Sequence, residues 1–286
     1  AALCGLAGLR PTLGRYAPEG VLPLCRSRDT VGPITKDLGD AALLDAVLTG
    51  DHSLPSPNLT QVRLGLPRNT MAADLDADVA RVFEEALDLL SQQGITLIEA
   101  DVPRQRELTE AVGFPLVMYE LERDLPAYLN QEGLALTLRD IHAGIGSRDV
   151  ANIVAEQLGD TPVTEAEYHQ ARRQRWELQA IYADYFRRHR LDAMVFPTTV
   201  LPAPVLGEDV SVELNGRKVP TFLTYIRNTD PGSVAGLPGI TLPIGLARGL
   251  PVGLALDGPH GSDRWLLSLG MAIERCLPGV PPPALA

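Results

Sequence analysis

The sequence predicts an α/β protein: a mixed, twisted sheet flanked by helices and interrupted by a helical excursion. Three observations carry that expectation. Short strand patterns at residues 62–66 and 95–98 flank a strongly periodic helical stretch at 74–93. Strand signals then fade between 105 and 190, where helical patterns dominate. They return at 193–196, 240–244 and 252–256. Strand, helix and strand at these lengths make a βαβ unit, which pairs its strands in parallel through a right-handed crossover. The expected division is 1–104 for part of the α/β core, 105–190 for the helical excursion and 191–286 for the rest of the core.

Each element follows from local signals. Residues 1–8 are small and apolar, which suits a close-packed interior more than a solvated terminus. With no initiator Met, charged leader or apolar signal segment, the opening reads as the interior of a longer protein. Thr35 or Asp37 caps a helix through 40–48, with Gly50 as its stop. Residues 51–60 contain Pro55 and Pro57 and read as a connector. In the 74–93 helix, Val79, Val82, Phe83, Ala86 and Leu90 recur at helical spacing, and Gly94 ends it. Further helices are expected at 107–121, 149–158 and 165–190, the excursion packing over the sheet. A last helix, 263–276, starts from a Ser262/Asp263 cap.

A net charge of −11 opposes binding to phosphate backbones, so no nucleic-acid partner is expected. The basic runs at 172–175 and 187–190 share a helical pattern with Glu165, Glu167, Glu177 and Asp184, and read as a solvated face. No apolar run is long enough to span a bilayer. Cys4, Cys25 and Cys276 lack disulfide-framework spacing, and reduced cysteines point to the cytoplasm.

Candidate chemistry is sparse. Asp74, Asp76, Asp78 and Glu85 superficially match a calcium loop, but Val79 stands where the loop requires Gly. Acidic residues in a first helical turn account for them. His52, His142, His169, His189 and His260 show no paired metal spacing. No G-x-S-x-G elbow, P-loop or dinucleotide fingerprint occurs. The small apolar setting of Cys4 favours an inert, buried thiol. The visible residues supply no independent catalytic machine.

Four stretches, in order along the chain, carry a resemblance. Residues 1–16, opening Ala-Ala-Leu-Cys-Gly-Leu-Ala-Gly-Leu-Arg-Pro-Thr, resemble the segment that follows the catalytic serine of the amidase signature family. Residues 29–37, Asp-Thr-Val-Gly-Pro-Ile-Thr-Lys-Asp, followed by Asp-Ala-Ala-Leu-Leu at 40–44, are similar to a second family pattern. There Ile34 and Lys36 stand at the usual Met and Arg positions. Residues 192–199 resemble a strand ending in Pro-Thr that borders the active site. Residues 228–243 with 249–254 resemble the hallmark of the family's second half. Within the family, residues 226–233 and 113–120 look most like enzymes acting on arylacetamides, amides of the mandelamide or indoleacetamide type.

That resemblance implies a Ser-Ser-Lys hydrolase. A neutral lysine draws a proton through a bridging serine, a second serine attacks the amide carbonyl, and backbone N–H groups hold the oxyanion. No metal or organic cofactor is implied. The nucleophile would lie a few residues before Ala1, with the other two further upstream, so this chain carries no catalytic residue. It would supply the sheet behind the site and part of the acyl pocket. Thr198 at a strand end and Arg227, Asn228 and Thr229 in the hallmark loop are the candidates for substrate binding. Arg227 reads equally as a structural salt bridge. Phe114, Met118 and Tyr119 line an apolar pocket in one reading and are plain core in the other. The expected partners are a small-molecule amide and the missing N-terminal half of the same protein. Without that half the chain is expected to self-associate, rearrange its N-terminal segment or require the other half. The competing functions are a catalytically dead binding module and an amidotransferase A-type subunit.

Overall fold

A computed structural model describes residues 1–281. The last five residues of the 191–286 division lie outside the described residues. A seven-stranded mixed sheet is built from β1 (Ala7–Arg10), β2 (Ile34–Thr35), β3 (Arg63–Leu66), β4 (Thr96–Glu99), β5 (Ala193–Pro197), β8 (Gly239–Ala247) and β9 (Leu250–Asp257). Its order is β2-β1-β8-β9-β5-β3-β4. β3 runs parallel to β4 and β5, and the other pairings are antiparallel. The remaining strands, β6 (Ser211–Leu214) and β7 (Arg217–Pro220), form a separate hairpin.

Helices cover both faces. On one, α1 (Leu38–Thr49), α2 (Ala77–Gln92) and α9 (Asp263–Glu274) pack their aliphatic residues against Leu9, Leu64, Val195, Leu242 and Leu254. On the other, α3 (Gln105–Gln131), α6 (Glu165–His189) and α8 (Asp230–Ala235) pack against Met194, Phe196 and Ala255. Strand alternation divides the residues: Ala193 and Val195 face the first layer, Met194 and Phe196 the second. Between α3 and α6 lie α4 (Leu138–His142) and α5 (Arg148–Gln157); α7 (Thr221–Ile226) precedes α8.

Local signals act largely as expected. Asp37 caps α1 by accepting from the Asp40 N–H, and Gly50 closes it with φ 73°. Asp76 caps α2 through the Asp78 and Val79 N–H groups. Its neighbour Asp74 pairs with Arg217, and Asp78 with Arg248. The β3–α2–β4 unit is parallel as predicted. α3 runs past the expected stop to Gln131, carrying Pro115 and Pro126 inside it. β8 and β9 join through Arg248 and Gly249, both at positive φ, a two-residue turn whose twist matches the paired strands.

Three expectations are corrected. Cys4 is exposed rather than buried, because the 3-10 turn Ala2–Cys4 buries Ala2 and turns the thiol outward. Ser262 makes no side-chain cap: its hydroxyl donates back to the Pro259 carbonyl, while Asp263 accepts from the Thr12 N–H at 2.7 Å and from its hydroxyl. Arg175 leaves the solvated face of α6 to donate to the Val234 carbonyl of α8 at 2.7 Å.

A buried ionic cluster ties the first segment to both helices beneath it. The fully buried Asp45 of α1 accepts from Arg15 at 2.7 and 2.8 Å, Tyr16 at 2.8 Å and Arg264 of α9 at 2.9 Å. Burial pushes its carboxyl upward, but the hydrogen bonds from Arg15, Tyr16 and Arg264 more than reverse this and hold it below its usual 3.8. A depressed carboxylate stabilises the fold above its unfolded value and loses that contribution as pH falls through its folded one. Asp45→Asn should therefore cost about 3–5 kcal/mol at neutral pH, because it leaves buried guanidinium groups uncompensated. Urea unfolding from neutral pH to below 3.8 should show a smaller acid-dependent loss in the variant than in the wild type. Equal losses in both would remove Asp45 as the source.

Candidate functional site

The second face of the sheet is not uniformly filled. Register places Arg10, Gly239, Asp257 and Met194 in one cross-strand row, and Gly8, Thr241, Ala255 and Phe196 in the next. Alternation sends all eight side chains to the same side. Small residues along β1, β8 and β9 leave that side low, where large ones would have filled it. The result is a cleft of about 300 Å³, walled by Thr30, Gly32, Pro33 and Ile34 and by Thr229, with Ala1 at its margin.

Two polar pairs mark its floor. Thr198 and Thr241 share a hydrogen bond at 2.6 Å between their hydroxyls. Towards the other row, Arg10 donates from Nη2 to Asp257 Oδ1 at 2.7 Å, from Nη1 to the Thr229 carbonyl at 3.1 Å and from Nε to the Leu237 carbonyl at 3.1 Å. Asp257 is 2% exposed, and its Oδ2 has no hydrogen-bond partner. Burial pushes its carboxyl up and the Arg10 charge opposes this, leaving it above its usual value. Glycine is required beside this pair. A methyl group on Gly239 would overlap Asp257 Oδ1 and stand 2.7 Å from Arg10 Nη2.

A second cavity of about 270 Å³ shares Arg10 and Thr30 with the first and adds Cys25, Arg28, Val117 and Ser233. Burial, and then the charge of Glu120, push the Cys25 thiol up to about 12. It therefore remains protonated and donates to Glu120 Oε2 at 3.3 Å. Among the described residues, neither cavity is lined by a histidine or a lysine. Among the described residues, the Thr198 and Thr241 hydroxyls at the floor pair with each other.

Thr198 and Thr229 line the cleft. Asn228 lies buried behind it, donating to the Met71 and Pro197 carbonyls at 2.8 and 2.7 Å. Of the two readings of Arg227, the geometry supplies the structural one: it donates to the Ala73 carbonyl at 2.7 Å and stands 3.9 Å from Asp74. Phe114, Met118 and Tyr119 line neither cavity. Phe114 is exposed, Met118 packs with Leu121 and Leu125 inside the excursion, and Tyr119 stacks on Tyr168 at 4.3 Å. Sequence reasoning missed Arg10, Thr241 and Asp257. An acidic residue closing the apolar run at 252–256 was a readable signal for Asp257.

A family model described as Amidase matches residues 1–267. Indoleacetamide hydrolase from Agrobacterium vitis is 44% identical over 281 residues, covering 97% of this chain and 60% of that protein. Mandelamide hydrolase from Pseudomonas putida is 35% identical, covering 99% of this chain and 57% of that protein. A crystal structure of an amidase superposes with a TM-score of 0.82 at 30% identity, over 97% of this chain and 60% of that one. The A-type subunit of glutamyl-tRNA(Gln) amidotransferase from Thermotoga maritima shares the fold with a TM-score of 0.71 at 23% identity, over 97% and 59%. The chain thus spans about 60% of the length of the relatives it matches.

The close approach at Gly239 makes a stability test. Gly239→Ala should lower unfolding free energy by about 1–3 kcal/mol through overpacking. Gly146→Ala, where a methyl meets nothing within 4 Å, should change it by less than about 0.5 kcal/mol. Denaturant midpoints at constant slope check both. A neutral Gly239→Ala would mean the Arg10–Asp257 pair moves freely.

Proposed function

The chain belongs to the amidase family, and we propose that it is the C-terminal part of an amidase cleaving a small aryl-substituted amide to a carboxylic acid and ammonia. The observation that carries this reading is the 44% identity to an indoleacetamide hydrolase over nearly the whole chain. The mandelamide hydrolase, at 35%, supports the same substrate class. The amidotransferase reading has weaker support, a shared fold at 23% identity.

In this reading the nucleophilic serine, the bridging serine and the lysine precede Ala1, and this chain supplies the binding surface. Ala1 borders the cleft, so residues joined to it enter beside the floor of Gly8, Gly239 and Ala255. A floor of such small residues accepts the flat face of an aryl group at close range. Thr198 and Thr229 stand at the cleft wall as substrate contacts, and Arg10 keeps the Thr229 carbonyl in place. Asn228 and Arg227 hold that loop from behind. Fixing the acyl group against a rigid sheet contributes by proximity, since a bound amide presented to a nearby hydroxyl reacts as a unimolecular system. The cytoplasmic location belongs to this same proposal and rests on three free cysteines.

The chain alone should release no ammonia from indoleacetamide, mandelamide or phenylacetamide. Addition of the upstream segment carrying the two serines and the lysine should restore release. Turnover by the purified chain, free of longer contaminants, would defeat this assignment. An upstream segment lacking those three residues would favour the dead binding module instead.

A further inference from the structure

The floor of the cleft holds a hydrogen-bonding group that the fold uses only in part. Thr198 and Thr241 bring two hydroxyl protons and four lone pairs to their contact, and the 2.6 Å bond consumes one of each. Among the described residues neither hydroxyl has a second partner, so one O–H and three lone pairs remain. Thr198 is 7% exposed and Thr241 half-buried, so little of the pair reaches bulk water. The backbone also clears room for it. A methyl group on Gly253 would stand 2.9 Å from both hydroxyl oxygens and 2.6 Å from the Ala2 methyl. Gly253 does not take a positive φ, so glycine serves clearance there rather than conformation. Other polar groups of the cleft are spent differently. Arg10 donates to Leu237, Thr229 and Asp257, and the Thr229 hydroxyl donates to the Ile226 carbonyl at 3.3 Å. Around the threonine pair the lining is apolar, with Phe196, Ile240 and Ala255.

We propose that Thr241, oriented by Thr198, is a specificity-determining residue: it selects acyl groups carrying a hydroxyl beside the amide carbonyl over the same groups without one. The proposal rests on the reading above, that the cleft takes the acyl part of an aryl-substituted amide, and names the polar feature recognised there. A ligand hydroxyl both donates and accepts, which matches a pair left with one O–H and several lone pairs. Bound to the pair, it completes a chain of three hydroxyls whose bonds polarise one another. A ligand without it leaves the threonine O–H facing apolar surface, and sites built to bond a substrate hydroxyl reject the analogue that lacks it. Position favours the carbon that joins ring and carbonyl. Thr241 shares its cross-strand row with Gly8 and Ala255, the small residues against which the aryl face lies in this reading. The bond to Thr198 fixes the Thr241 hydroxyl before any ligand arrives, so less freedom is lost on binding.

Mandelamide and phenylacetamide differ by this hydroxyl alone, so they isolate its contribution. Calorimetric titration of the full chain should show the better-bound enantiomer of mandelamide binding roughly tenfold tighter than phenylacetamide. Thr241→Val keeps the side-chain shape and removes the hydroxyl, and it should bring the two amides level, chiefly by weakening mandelamide. Thr241→Ser should restore most of the preference. Thr198→Val, which leaves Thr241 without its partner, should reduce the preference, and it carries the test should Thr241→Val fail to melt cooperatively. Equal binding of the two amides by the wild type, or binding of neither, would overturn the proposal. So would a preference that Thr241→Val preserves, or one that Thr30→Val on the cleft wall removes in its place. Binding is read without turnover. A chain that prefers mandelamide, beside a parent protein that hydrolyses neither amide, would sink the hydrolase reading and leave this recognition standing. Hydrolysis of both amides by the parent with equal kcat/KM, and no preference in binding, would do the reverse.

Discussion

The Arg10–Asp257 ion pair is the constraint around which the candidate site is arranged. Asp257 closes β9 inside the protein, where an unpaired carboxylate would be costly. Arg10 offsets that cost and uses its other two donors to hold the carbonyls of Thr229 and Leu237. One guanidinium thus fastens β1 to β9, to the loop before α8 and to the entry of β8. The sequence separation is 247 residues, so the pair forms only when both ends of the chain have reached the sheet. Replacing such a pair with apolar residues is often neutral, whereas removing one partner is costly. Its value here lies in fixing a loop beside a cleft.

The two faces of the sheet show the balance between packing and access. On the α1–α2–α9 side, large aliphatic residues from every long strand interlock with the helices, as native interiors require. On the other side, α3 and α6 cover Met194 and Phe196. Over β1, β8 and β9 the same face carries Gly8, Gly239 and Ala255, and no helix among the described residues fills the gap. Leaving that volume open forgoes packing energy that larger side chains would have contributed. The chain keeps a pocket where it has the means to make core.

Much of this was legible in the sequence, and the failures have physical causes. Asp37 and Gly50 bounded α1 because caps act over a few residues, and the β3–α2–β4 unit followed from period and length alone. β1 escaped notice because Ala7 and Gly8 carry little strand preference; pairing with β8 makes them a strand. The β6–β7 hairpin was readable from Asn215-Gly216, both at positive φ, but its strands are short and partly exposed. At the site, Thr198 and Thr229 could be placed from strand-end and loop position. Asn228 and Arg227 share that loop yet point backward, a choice set by the carbonyls of Met71 and Ala73 that no local pattern reveals. Arg10 and Asp257 are a tertiary pair, and spacing along the chain carries no trace of it.

The chemistry missing from this cleft is as informative as the groups present. A threonine hydroxyl needs a base to become a nucleophile, and Thr198 and Thr241 have only each other at 2.6 Å. The thiol of the adjoining cavity, Cys25, is held protonated by burial and by Glu120. The carboxylate nearest the floor, Asp257, is committed to Arg10. Among the described residues, Asp257 is thus engaged through Oδ1 by Arg10, while its buried Oδ2 has no partner. In the proposed reading, such a surface holds the acyl group without competing for protons with the catalytic residue beside it. In the amidase reading proposed above, that compatibility is what this chain offers a catalytic serine.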